Sequence, residues 1–382
     1  MKLLIKLLSF LMIFSFFILK VEAIEDKNSI TENIYNEQFN ISGANKLKDY
    51  IPKESKKSLE EMGIYSGNFD EISNLNLEKI IIGISKMIKK NINEPIESFL
   101  PIISVMILFI IVESIYPKNR NQEMSKILVC IVVLSICTFT LNPILKIIFS
   151  VSLVIKSASR FMLCYVPIMS TIMVASGQAL SGASYHGLII CAGGVISHFS
   201  ENFLIPILNS LLGFAVVSSL SPNLKLNLLC SAINKTIKKI LEFISTIFTS
   251  IITLGHIVTT SGDSLTSSAA KSALGGCVPI IGSMISDAYG TVQGCLKLLK
   301  SGVGAFGIIV GAVIFIPILI KCGLWVIFLG FSKCLGDILE LKKISSLLKA
   351  FEDIISILIA ILIFSIVILI ISSVVVLALG AK

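Results

Sequence analysis

Between Ile354 and Leu379 the chain carries no charged residue. About 20 apolar residues suffice to cross a bilayer as a helix, so this run reads as a membrane span. No other fold uses so long an uncharged stretch as readily. Further runs of the same kind cover Ile96 to Tyr116, Met124 to Leu145, Leu241 to Val258 and Gly302 to Phe331, with Pro317 expected to kink the last. The pieces Phe161 to Val174, Leu188 to Ser197 and Phe203 to Ser219 are shorter and Gly-interrupted. Only 15% of the 382 residues are charged and 54% are hydrophobic. Soluble domains carry about 25% charge. The fold class expected is all-α: a polytopic membrane protein with about six to eight transmembrane helices, some broken or re-entrant.

The polar material sets the topology. Residues 1–23 read as a signal peptide, with Lys2 and Lys6 before an apolar core and Val21-Glu22-Ala23 as the cleavage site. The alternative is an uncleaved first anchor, and either leaves residues 24–95 outside the cytoplasm. That region reads as a small helical unit, its clearest amphipathic helix at 77–90. The membrane domain then occupies 96–382. Lys118, Arg120 and Lys126 follow the first span, Lys225, Lys235, Lys238 and Lys239 a later one, and Lys333, Lys342, Lys343 and Lys349 the one before the last. Positive loops face the cytoplasm. The net charge of +8 is therefore assigned to topology and to membrane lipids rather than to nucleic acid.

Inside this apolar chain lies a polar island, residues 259–311, rich in Gly, Ser and Thr and carrying Asp263, Lys271, Asp287, Lys297 and Lys300. Charge and broken backbone are costly in hydrocarbon, so such a segment belongs where protein or a watery cavity surrounds it. Asp263 and Asp287 are the strongest single candidates, with Lys271 as a partner for either. Asp263 has an equally weighted structural reading as a helix cap after Ser261 and Gly262. Ser176-Gly177-Gln178-Ala179-Leu180-Ser181 resembles Ser261-Gly262-Asp263-Ser264-Leu265-Thr266, the arrangement of paired interrupted helices that meet at a transporter's central site. Pro279 and Gly282 mark a further break, and Gly302, Gly304, Gly307 and Gly311 allow close helix packing. Upstream, Asn142, Lys146, Ser150, Ser157 and Arg160 share one stripe of a helix. Lys146, Lys156 and Arg160 then face either the headgroup interface or a conduit or partner.

Catalytic signatures were sought as well. The chain has no GxxxxGK[ST] phosphate loop, GxSxG elbow or HExxH, and no GxGxxG followed by a Rossmann pattern. His186, His198 and His256 lack metal-ligand spacing. The nine cysteines form no CxxC pair and read as small buried hydrophobes. No enzyme activity, cofactor or metal is expected.

A set of motifs in fixed order carries a resemblance. Ser219-Leu220-Ser221-Pro222 precedes a Lys-rich loop, and Ser261-Gly262-Asp263 follows. Then come Val278-Pro279-Ile280-Ile281-Gly282 with Ser286-Asp287-Ala288, and Leu298-Leu299-Lys300 with Val303-Gly304 and Gly307. Together with the N-terminal layout, these resemble the stage III sporulation protein AE family of endospore-forming bacteria across essentially the whole chain. The resemblance implies a multispanning protein of the mother-cell membrane around the forespore. It implies partners too: the other stage III A proteins, including a cytoplasmic ATPase, and a forespore-side channel protein, with homo-oligomerisation left open. It supplies no catalytic residues, so the site candidates rest on the physical reading.

Three functions are thereby in view. The leading one is a permease-like or pore-forming subunit of the mother cell–forespore channel, needed for forespore development. The alternatives are an autonomous ion-coupled secondary transporter and a non-conducting membrane scaffold.

Overall fold

A computed structural model describes residues 39–61, 77–115, 122–220, 226–276 and 282–378; within these, side chains are described except at 48, 53, 54, 58, 61, 77–81, 122, 123, 125, 126 and 226–228, over most of 256–301 and at 374–378. Among the described residues there is no strand. A 3-10 helix, Ala44–Tyr50, precedes α1 (Lys53–Glu61), α2 (Leu77–Asn91), α3 (Asn93–Ile115), α4 (Gln122–Ala175), α5 (Ala179–Phe199), a π-turn (Ser200–Leu204), α6 (Ile205–Leu220), α7 (Leu226–Gly276), α8 (Gly282–Ile338) and α9 (Lys342–Ala378). The amphipathic helix expected at 77–90 is α2.

Among the described residues, five stretches are long and apolar enough to cross a membrane: Ile82–Ile115, Ile127–Ala175, Ala179–Leu220, Gly302–Ile338 and Lys342–Ser373. The runs Met124 to Leu145 and Phe161 to Val174 and the polar stripe between them join as the single helix α4, and Pro317 lies inside α8. The interruption expected at 198–202 is not a loop: α5 passes through the π-turn Ser200–Leu204 directly into α6. Side-chain hydroxyls that bond back to the preceding turn, such as Thr140 to the Ile136 carbonyl at 2.8 Å, let polar residues stay within these helices. The segment Leu241–Val258 sits within α7, which is not one of the five stretches.

Helices α8 and α9 form the centre as an antiparallel pair, and α4, α6 and α7 pack around α9. The span windows of α8 and α9 are 78% and 67% buried, against 22% for α3. Polar surface is scarce in lipid, so apolar side chains facing outward on α3, among them Leu100, Leu108 and Ile111, are where a bilayer would lie. Close approach in the central pair depends on glycine. Gly311 faces Leu369 with no room for a Cβ. The α8–α9 turn is made by Glu340 with φ 57°, a left-handed residue that lets the chain reverse in a few positions.

The first turns of α4 meet the end of α6, and the α8–α9 turn meets α3. The Cys130 thiol approaches the Leu220 carbonyl at 3.9 Å, bringing the start of α4 to the end of α6. Gly336 lies against Met106 and Ser345, bringing the α8–α9 turn beside α3. The far end of α4 carries its turn into α5.

Candidate functional site

The turn from α4 to α5 begins with Ser176, whose hydroxyl bonds to the Ile172 carbonyl at 2.7 Å. Gly177 takes φ 79°, a conformation that a side chain would strain. The Gly177 amide bonds to the Val174 carbonyl and the Gln178 amide to the Met173 carbonyl, closing α4 with a Schellman motif. One residue later α5 begins. Its cap residue, Gln178, supplies no side-chain cap of its own.

The cap comes from elsewhere in the chain. The Leu180 amide donates to Asp263 Oδ1 at 3.0 Å, and the Ser181 amide donates to Asp263 Oδ2 at 2.9 Å. These are the N2 and N3 amides that a capping side chain ordinarily serves. A carboxylate placed there also meets the positive end of the helix dipole. Asp263 is only 5% exposed, so the fit between a buried anion and two otherwise unpaired donors holds α7 against α5. Ser181 adds a second tie, donating from its hydroxyl to Thr259 Oγ1 at 3.1 Å. On the other side Ser170 donates to the Gly182 carbonyl at 2.9 Å. A Cβ on Gly182 would stand 3.0 Å from the Ser170 carbonyl oxygen, so a side chain there requires α4 and α5 to give by a few tenths of an ångström.

One turn further along α5, Tyr185 hydrogen-bonds Ser372 at 2.8 Å. The next residue of α9, Ser373, accepts from Tyr165 at 3.3 Å. Tyr165 in turn lies against Gly307, where a Cβ would stand 2.5 Å from the ring. All four side chains are at most 4% exposed. A seam of buried hydroxyls thus joins α4, α5 and α9, with α8 meeting it at Gly307, and it starts one turn from the Asp263 junction.

The sequence candidates divide as follows. Asp263, Ser176 and Gly177 meet at the junction, and Gly307 joins it through Tyr165. Gly302 and Gly304 are buried in α8. Gly262 and Lys271 lie in α7, Gly282 begins α8 and Asp287 lies in it, but apart from these backbone positions nothing of their surroundings is described; Pro279 falls outside the described residues. Lys146 and Arg160 are exposed on α4, while Lys156 pairs with Glu201 at 3.3 Å in a half-exposed contact. That stripe stays away from the junction, in keeping with an interfacial role. The matching of 176–181 with 261–266 needs correcting at the level of backbone. Only the first is a break, because Ser261 to Thr266 lies inside the continuous helix α7. The two segments do meet, as an acid on one and bare amides on the other. Tyr165, Tyr185, Ser372, Ser373 and Thr259 were not foreseen from sequence, since a hydroxyl on an apolar helix gives no sign of which neighbour it faces.

Fold and site together define a polytopic helical membrane protein whose broken-helix junction is closed by an internal carboxylate. Comparison with known proteins agrees with the ordered motifs of the sequence. The chain belongs to the stage III sporulation protein AE family, whose model matches residues 61–380. It is similar to the stage III sporulation protein AE of Bacillus subtilis (strain 168), at 24% identity over 207 residues, which cover 54% of this chain and 52% of that protein. The match thus spans about half the length of that relative. No solved structure matches the chain.

Proposed function

We propose that this sporulation protein is a non-catalytic, permease-like or pore-forming subunit of a channel between mother cell and forespore. It would reside in the mother-cell membrane with its lysine-bearing connections in the cytoplasm, and work with the other stage III A proteins, a cytoplasmic ATPase among them. One observation carries the reading: Asp263 is buried against the broken end of α5, one turn from a seam of hydroxyls in the bundle interior. Irregular backbone and a buried acid are costly at membrane depth and are kept where a polar route or a moving joint needs them. In this reading the junction is the closed state of the route, and assembly with partners opens it.

The test is flux through liposomes holding the purified chain, alone and then with the other stage III A proteins added. Silence alone followed by flux on addition supports the channel subunit. Gradient-driven uptake by the chain alone, abolished in Asp263→Asn, replaces it with a secondary transporter. No flux in any combination, together with normal sporulation of an Asp263→Asn strain, leaves only a scaffold.

A further inference from the structure

On the outer face of α4, Phe149, Leu153, Lys156, Arg160 and Leu163 recur every three or four residues and so form one stripe. Phe149, Leu153 and Leu163 are exposed, as is Arg160, while Lys156 is half-exposed. Two cations thus interrupt an outward stripe that is apolar on either side of them. The neighbouring helix repeats the pattern. Val195 and Phe203 are exposed apolar side chains, and between them lie exposed His198 and Asn202, joined at 2.9 Å. Glu201 ties the two helices together. Its Oε2 meets the Lys156 ammonium at 3.3 Å, and its Oε1 accepts from the Ser197 hydroxyl at 3.3 Å. Arg160, one turn along α4, has no ion-pair partner among the described residues.

Helix length says what lies at this height. The stretch Ile127–Ala175 has 49 residues, roughly 73 Å of helix against about 30 Å of hydrocarbon. A headgroup plane therefore crosses it. Cations are costly in hydrocarbon and long apolar faces are costly in water, so the plane falls where the cations break the stripe. The other side of the bundle marks nearly the same level. Helices α3 and α8 run parallel, with Glu94 on Lys321 at 2.6 Å, Phe99 against Phe328 and Met106 against Gly336. Helix α4 follows α3 after a short connection and runs back along α8, meeting it where Tyr165 faces Gly307. Measured from that contact, Lys156 and Lys321 differ in height by roughly 8 Å. An ion pair on each side of the bundle sits at about one level, partway along helices that are otherwise apolar.

We propose that Lys156 and Arg160 bind the phosphate of an anionic phospholipid at this level, beside the π-turn that joins α5 to α6. Charge selects the ligand: Glu201 balances one of the two cations and leaves the other uncompensated. The guanidinium of Arg160 presents paired donors that match phosphate oxygens. The apolar side chains along the same stripe give acyl chains a surface, which a free anion would not use. The site requires only that the bundle sits in a bilayer, and it stands apart from the channel reading.

The experiment titrates phosphatidylglycerol or phosphatidylcholine into detergent micelles of the purified full-length chain at equal ionic strength, with inorganic phosphate as a third arm. Native mass spectrometry counts the lipid retained, and a melt gives Tm. The expected result is saturable retention of phosphatidylglycerol with a rise in Tm of about 2 °C, and neither with phosphatidylcholine. Arg160→Gln and Lys156→Gln should each weaken retention about tenfold, and Lys156→Arg should keep it. Lys239→Gln, at an exposed lysine of α7, should leave it unchanged. These positions are exposed or half-exposed, so the variants keep the fold. Equal retention of the two lipids overturns the proposal. An equal loss in Lys239→Gln overturns it too, because the attraction is then spread over the basic surface. A rise in Tm with inorganic phosphate as large as that with phosphatidylglycerol overturns the lipid assignment and leaves a surface anion site.

Discussion

Asp263 accepts the backbone amide of Ser181 at 2.9 Å, so one helix is capped by an acid from another that is distant in the chain. Most N-caps are local, supplied by the residue that starts the helix. Here the local residue is Gln178, and the capping contact instead fixes how α7 sits on α5. It is at once a helix end and a tertiary contact. Removing it should therefore cost more than an ordinary cap. Asp263→Ala is expected to destabilise the protein by about 2–3 kcal/mol, since two buried amides lose their acceptor. Asp263→Asn keeps one acceptor oxygen and should lose about half as much. Thermal melts in detergent give the size, and amide hydrogen exchange gives the place. Faster exchange at Leu180 and Ser181, with α8 unchanged, is the expected pattern; unchanged exchange at those amides would show that the cap does not bear on the stability of α5.

The turn that leads into this junction makes its own demand. Gly177 at φ 79° ends α4, and a side chain there is strained whatever the space around it. Gly177→Ala should cost about 1 kcal/mol, read as a lower Tm, while Gly187→Ala on α5, where no neighbouring atom lies within 4 Å of the added carbon, should be neutral or slightly stabilising. Equal effects at the two sites would count against the left-handed turn.

How much of this was legible beforehand follows from the physics of each signal. Hydrophobic runs at Ile96, Met124, Gly302 and Ile354 announced the spans, because lipid leaves few alternatives to a helix. The family was legible too, because its motifs come in a fixed order. Helix ends were less so. The polar run at His198 looked like an interruption, but a helix in an apolar setting keeps its own hydrogen bonds and absorbs it as a π-turn. Asp263 was singled out for being an acid in an oily chain. Whether it served a local cap or a remote one depended on the pairing of α5 with α7, which no local pattern states. The hydroxyl seam stayed hidden for the same reason. Tyr165 and Tyr185 are ordinary residues until Ser372 and Ser373 are placed opposite them.

Those tyrosines differ in what they leave behind. Tyr185 bonds Ser372 at 2.8 Å and Tyr165 bonds Ser373 at 3.3 Å, and the Ser373 hydroxyl also reaches the Leu369 carbonyl at 3.2 Å. The shorter bond is the stronger. Tyr185→Phe is expected to destabilise by about 1–1.5 kcal/mol and Tyr165→Phe by less than about 1 kcal/mol. Denaturation of the two purified variants side by side checks the order. A larger loss for Tyr165→Phe would mean that its hydroxyl has a part in the seam beyond this one bond.

The contact between Gly307 and Tyr165 offers the sharpest test of the interior, because it makes a pairwise claim. A Cβ at Gly307 would lie 2.5 Å from the Tyr165 ring, a distance that real contacts do not reach. Tyr165 is fully packed and stacked on Phe161 with ring centres 5.5 Å apart, so the ring has little freedom to retreat. Gly307→Ala should therefore cost about 1–3 kcal/mol by overpacking, even though alanine is the better helix former by about 1 kcal/mol. Tyr165→Leu alone should also destabilise, through the space it leaves. The double variant is expected to be more stable than the sum of the two losses predicts, by about 1 kcal/mol or more, because the methyl group then occupies room vacated by the ring. Melting curves of the four proteins complete the cycle. Strict additivity would mean that α8 and α4 do not meet at these residues, and the hydroxyl seam would lose its attachment to the glycine-rich face of α8.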